Sequence, residues 1–302
     1  MSTITVGLDG SPESLAAADW AAREAVERDA LLRLLHGGEQ MRYLYAPLAG
    51  VPAPNALDAQ REWAAYMLRE TEARLVRRHP GLRITTQQTE EQAVPALLAA
   101  ADDLLVLGSR GLGTLAGFLV GSVALAVVAR SPRPVVLVRA DGSAADEQRP
   151  DATRTGSTMG PHRDVVLGLD LEDPEDTGIG FAFEAARRHA ADLRVVHGWS
   201  PPAAYGYGAA MDAGVNDEPA EQVRHRLADV LRPWKDKYPG VEVREQAVVG
   251  GAGRHLVHAS RDAALVVVGR KNRRSPVGGR IGPVTHAALQ HASAPVAVVP
   301  HD

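Results

Sequence analysis

The chain contains no cysteine, which excludes disulfide staples, thiol nucleophiles and Cys-ligated zinc or iron–sulfur centres. Aromatic residues are scarce as well, with three Phe, four Trp and six Tyr among 302 residues. A 45% hydrophobic content must therefore build its cores from Ala, Val and Leu, as helices packed on a parallel sheet permit. Neither sign of charge dominates: 33 Lys and Arg stand against 37 Asp and Glu, a formal net charge of -4. That balance leaves no electrostatic footprint for nucleic acid. No apolar stretch reaches membrane-spanning length. Residues 4–8 begin a strand-like run at once, without the basic stretch, apolar run and cleavage site of a secretory leader. The expectation is a cytoplasmic protein with no nucleic-acid and no membrane partner.

What is present is a repetition. At an offset of 161 residues, Val6-Gly7-Leu8-Asp9 recurs as Leu167-Gly168-Leu169-Asp170, and His36 recurs as His197. Val106-Leu107-Gly108 recurs as Val267-Val268-Gly269, Gly121 as Gly282, and Pro134-Val135 as Pro295-Val296. One fold has been copied in tandem. The reading is a first domain over residues 1–140, a linker over 141–163 rich in Asp, Gly, Ser, Thr and Pro, and a second domain over 164–302.

Within each copy, short β-rich runs alternate with longer stretches of helical apolar spacing, the pattern of βαβ units and a parallel sheet. The first copy is expected to hold strands near 3–9, 31–36, 82–88, 104–108 and 134–139, with helices near 13–29, 56–79, 92–102 and 121–130. Ser11 and Pro12 suit the cap and first position of a helix. The second copy should repeat this with strands near 164–170, 193–198, 241–247, 264–269 and 295–299, and a helix over 218–238. Residues 38–55 and 200–217 read as long loops, of the kind that serve as lids. Right-handed crossovers would leave a crevice at the carboxyl ends of the first and fourth strands, where Asp9 and Gly108 would both sit.

After its fourth apolar run the first copy reads Gly108-Ser-Arg-Gly111, then nine residues, then Gly121-Ser122-Val123. A glycine turn running into a helix N-terminus offers unobstructed N–H groups and the favourable end of the helix dipole to a phosphate. Each charge-assisted bond of this kind contributes about 1.5–3 kcal/mol. In the second copy the same stretch reads Gly269-Arg-Lys-Asn272, then Gly282-Pro283-Val284. Pro283 lacks the N–H and hydroxyl of Ser122, so weak or absent nucleotide binding is expected there. Taken singly, each glycine is as well explained by a connecting turn; the complete spacing beside an aspartate at a strand end favours a phosphate site in the first copy.

Other motifs carry less. Gly111-Leu-Gly113-Thr-Leu-Ala116 matches a loose dinucleotide pattern, but the acidic residue expected about 20 positions on is missing. The chain has no Walker loop, no H-E-x-x-H and no G-x-S-x-G. His255 and His258 lack a third ligand of clear spacing, and the acidic run from Asp170 to Asp176 reads as a solvated turn rather than a metal site. His36 and His197 read as residues that fix loops by hydrogen bonds, and Trp20, Trp63 and Trp234 as core or interface anchors.

The pattern G-x-x-G, nine residues, G-S, after a strand and beside Asp9, resembles the universal stress protein family. The duplication is similar to its tandem two-domain members common in actinobacteria. The resemblance implies an α/β fold of two tandem doubly wound domains, each a five-stranded parallel sheet of order 3-2-1-4-5 flanked by helices. It further implies membership in the ATP-binding branch, with ATP, with or without Mg²⁺, as cofactor. Gly7 and Asp9 would line the ribose and adenine side, and Gly37 would offer backbone to adenine. Gly108, Gly111, Gly121, Ser122 and Val123 would hold ribose and phosphates. Where the family has a Gly-x-Pro turn before the third helix, Glu91-Gln92-Ala93 stands here, while Gly250-Gly251-Ala252 keeps the glycine in the second copy. Family members also pair fifth strands about a pseudo-twofold axis, and a homodimer is implied. A nucleotide-dependent stress regulator acting on an unidentified protein partner is the favoured reading, against a slow ATPase or phosphotransferase, or a nucleotide-free scaffold.

Overall fold

A computed structural model of the chain describes residues 2–38, 56–109, 120–140, 163–200, 217–272 and 281–302. These divide into two compact units, the first containing the described residues up to 140 and the second those from 163 onward. The linker expected over 141–163 and both long loops lie almost wholly outside the described residues.

The first unit is built from β1 (Thr3–Gly7), α1 (Pro12–Glu27), β2 (Leu31–Gly38), α2 (Ala56–Arg78), β3 (Ile84–Gln92), α3 (Ala93–Ala99), β4 (Leu104–Gly108), α4 (Ser122–Arg130) and β5 (Val135–Val138). Its strands lie side by side in the order β3-β2-β1-β4-β5, and β1 pairs in parallel with β2 and β4. Helices cover both faces, so the inner strands are apolar without alternation: Ile4, Val6, Leu104, Leu105 and Val106 are fully buried. At the margin of this unit's sheet, β3 is a polar run, ITTQQTEEQ, almost wholly exposed. Its lack of apolar periodicity explains why residues 82–88 are expected from sequence while pairing with β2 carries the strand on to Gln92.

α1 begins where local chemistry directs it. The Ser11 hydroxyl accepts from the Ser14 N–H at 3.2 Å, and Pro12 occupies the first turn, where a missing N–H costs nothing. Its inner face is Ala17, Ala18, Ala21, Ala22 and Ala25, all fully buried. These small side chains let the helix approach the sheet closely, the consequence of a core poor in aromatics. Trp20 joins that core, whereas Trp63 is 48% exposed. Trp63 is therefore no core anchor; it meets the His36 ring edge-on at 6.0 Å.

The second unit repeats the scheme with β6 (Asp164–Gly168), α5 (Asp176–Arg188), β7 (Leu193–Trp199), α6 (Asp217–Lys237), β8 (Val243–Val249), α7 (Ala252–Ala259), β9 (Ala263–Lys271), α8 (Pro283–His291) and β10 (Val296–His301). Its strand order is β8-β7-β6-β9-β10. Where the first unit has alanines, this one stacks Phe183 of α5 against Trp234 and Tyr238 at ring separations of 6.1 and 5.5 Å. At the start of β6, buried Asp164 accepts from Arg194 at 2.6 Å and from Arg244 at 3.2 Å, and Arg244 also reaches Asp192. Removing a buried carboxylate would strand the guanidinium of Arg194, itself mostly buried. Asp164→Ala should therefore destabilise the second unit by about 3 kcal/mol. Hydrogen exchange of β6 and β7 amides reads this directly, with β1 amides of the first unit unaffected.

Candidate functional site

The first unit carries a cavity of about 540 Å³ at the carboxyl ends of its strands, within the roughly 300–1,000 Å³ usual for small-molecule sites. Its walls bring together Gly7, Asp9, Gly37, Gly108, Gly121, Ser122 and Val123. Gly111 lies outside the described residues. The lining also includes Ser11, Glu13, Ser14 and Gln92, which the sequence reading did not place there.

The geometry starts from one close approach. A Cβ on Gly108 would lie 2.5 Å from the Glu13 carbonyl carbon and 2.6 Å from the Ser14 nitrogen. Only glycine lets the end of β4 rest on the first turn of α1. Two helix N-termini thereby face one crevice, α1 behind β1 and α4 behind β4. α4 starts at Ser122 with Gly121 as its cap, and no side chain caps it. Its first N–H groups have no intrahelical partner, as at every helix start, and Ser122 and Val123 are exposed. The arrangement offers bare donors and a positive dipole end to an anion.

Asp9 is held in place at the other side of this junction. Its Oδ1 accepts from the Ser11 N–H at 3.0 Å and from the Ser11 hydroxyl at 2.5 Å. The Ser14 hydroxyl donates to the Ser11 carbonyl at 3.0 Å and accepts from the Asp9 N–H at 3.4 Å. One serine thus caps the helix and orients the carboxylate. His36, buried, lies with Nδ1 2.8 Å from the Leu8 carbonyl oxygen, a contact that requires the Nδ1–H tautomer or the cation and ties β2 to the β1 loop. At the far end, a Cβ on Gly37 would lie 2.6 Å from the Ala93 Cα, so the β2 terminus abuts the start of α3.

The second unit keeps the frame and changes the chemistry. His197 repeats the tie, with Nδ1 2.9 Å from the Leu169 carbonyl oxygen, and the Asp170 carboxylate accepts from the Glu172 N–H at 3.0 Å. The serines are gone: Glu172 and Glu175 stand at the repeats of Ser11 and Ser14. Lys271, the last residue of β9, donates to Asp173 at 2.6 Å, and that ammonium group holds the Asp173 carboxyl below the usual range. Its depressed pKa keeps the pair intact at neutral pH; acidification through that pKa breaks it. Glu175 faces His301 at 3.4 Å. α8 opens with Pro283 rather than a donor, and the Thr285 hydroxyl donates to the Gly269 carbonyl at 2.8 Å. Buried Arg270 replaces Ser109, its pKa lowered by desolvation. His255 Nε2 lies 3.0 Å from the Val249 carbonyl oxygen.

With this geometry established, comparison with known proteins identifies the kind of protein. The universal stress protein family model matches residues 1–139 and 161–300, so the chain belongs to the universal stress protein family. A universal stress protein of Mycolicibacterium smegmatis is 30% identical over 307 residues, covering 98% of this chain and 96% of the relative. A universal stress protein structure from Archaeoglobus fulgidus shares the fold across 99% of this chain and 98% of its own, with a TM-score of 0.70 at 15% identity. Another universal stress protein, solved in complex with cAMP, is 31% identical over 45% of this chain and 96% of its own, with a TM-score of 0.35.

The close approach at Gly108 is testable. Gly108→Val should lower first-unit stability by about 1–3 kcal/mol through overpacking, seen as faster hydrogen exchange of β1 and β4 amides. Gly282→Ser, where no described atom lies within 4 Å of an added Cβ and serine is at least as good a cap for α8, should leave the second unit nearly unchanged.

Proposed function

We propose that the first unit binds an adenine nucleotide, ATP in the first instance, and that the chain works as a nucleotide-dependent regulator rather than a dedicated enzyme. The observation that carries this reading is the uncapped N-terminus of α4 opening into a cavity that the glycine junction of β4 with α1 also lines. Phosphates fit the α4 end by hydrogen bonding and by dipole. The sugar fits beside Asp9, and the base fits toward Gly37 and α3. Family membership and the complete glycine pattern of the first copy support ATP. Oxygen ligands for a Mg²⁺ carried by the triphosphate would come from Asp9 or Glu13, the carboxylates among the described lining residues.

Several features of the second unit oppose the same ligand: a proline in place of the donor, two glutamates in place of serines, and an ion pair beside the phosphate end. Like charge and a missing N–H both weaken anion binding there. Nucleotide occupancy would then be felt in one unit and passed to a protein partner through the linker, the loops or a dimer of chains. By linkage, any partner that prefers the bound form tightens ATP binding by the same factor. Hydrolysis would need a base, and the Asp9 Oδ1 already accepts two bonds from Ser11.

Denaturing the purified chain and weighing the released small molecules should give about one adenine nucleotide per chain. Gly121→Asp keeps a good helix cap while placing a carboxylate against the phosphates, so it should fold normally and bind ATP at least about tenfold more weakly. Gly282→Asp should leave ATP affinity unchanged. A phosphate-release assay decides between regulator and slow ATPase: turnover abolished by Gly121→Asp would establish the latter.

A further inference from the structure

The far end of the first crevice carries a side chain whose placement comes from an irregularity in the sheet. β2 and β3 run in steady register from Leu32 opposite Ile84 to Gly37 opposite Thr89, and then the register jumps so that Gly38 faces Gln92. Glu90 and Glu91 are left out of the ladder. The Thr89 hydroxyl accepts from the Glu91 N–H at 3.2 Å, and the Glu90 carbonyl oxygen approaches Gly38 so closely that a Cβ there would lie 2.6 Å from it. Bulges beside functional sites re-aim side chains. This one puts Gln92 in the crevice wall as the N-cap of α3, with no side-chain bond to the helix it precedes.

Its neighbours in that wall make the position informative. Leu35, Val94 and Leu97 are apolar, and the Nδ1 of His36 is engaged with the Leu8 carbonyl. Gln92 therefore brings a donor and an acceptor side by side to a surface otherwise suited to the flat face of a ring, and its amide has no hydrogen bond among the described residues. In the second unit the ladder continues without a jump to Trp199 opposite Val249, and Gly250 and Gly251 precede α7. Neither glycine offers a side chain of its own there. The strand order also fixes which end this is: β2 and β3 lie on the opposite side of β1 from β4, whose helix α4 would take the phosphates.

We propose that Gln92 reads the nucleobase, its Oε1 accepting from the exocyclic amino group of adenine and its Nε2 donating to the adjacent ring nitrogen. A carboxamide matches that donor–acceptor couple in a bidentate pair. This inference rests on the nucleotide reading above and adds the residue that selects the base.

Calorimetric titration of the full chain with ATP and with purine riboside 5′-triphosphate, which lacks the amino group, tests it. The wild-type chain should prefer ATP by roughly tenfold. Gln92→Ala and Gln92→Leu should lose that preference and bind both nucleotides equally, with ATP affinity lowered by a similar factor. Both variants should melt as the wild type does, because Gln92 is exposed. Variants that keep the preference for ATP, or a wild-type chain that binds both triphosphates equally, would overturn the role of Gln92 and leave the nucleotide site standing. A wild-type chain that binds neither would overturn both.

Discussion

The approach of the β4 terminus to the first turn of α1 is the constraint on which the rest of the first unit depends. Because Gly108 has no side chain, backbone meets backbone there, and the starts of α1 and α4 open onto the same space. The polar features at that end of the crevice follow from that meeting. Ser11 caps α1 and in the same geometry holds Asp9. α4 begins with no side-chain cap, so its free N–H groups remain available to an outside acceptor. Had Gly121 been a serine or aspartate, the helix would satisfy itself and the cradle would be closed from within.

The second unit shows the same frame under different selection. Its histidine tie, its strand order and the glycines at its strand ends are retained, while the groups that would meet an anion are replaced by carboxylates, a proline and an internal ion pair. Sheet packing demands the first set; on the proposed reading ligand chemistry demands the second, and the second unit then serves as an internal control for the first.

Much of this is legible in the sequence because the determinants are local or periodic. Buried runs such as Leu104–Gly108, the Ser11-Pro12 start and the 161-residue recurrence can be read without coordinates. The parts that escape depend on long-range pairing. β3 carries no apolar rhythm, so its extension to Gln92 is set by β2, and the bulge that delivers Gln92 is invisible in a run of polar residues. Trp63 reads as a core or interface anchor by its place on a helix, and the fold leaves it half-exposed beside the β1 loop, against Gly10 and His36, and not in the core. Glu172 and Glu175 can be aligned with Ser11 and Ser14 by offset alone, but the pairing of neighbouring Asp173 with Lys271 needs the fold.

On the proposed reading, the backbone amides at the start of α4 hold phosphate while those at the start of α8 do not. Amide NMR of the full chain titrated with ATP and, separately, with adenosine tests it most directly. ATP, and not adenosine, should shift the Ser122 and Val123 amides strongly, with Val284 and Thr285 unmoved by either. ATP binding that leaves Ser122 and Val123 unshifted, or that moves Val284 and Thr285 in their place, would contradict it.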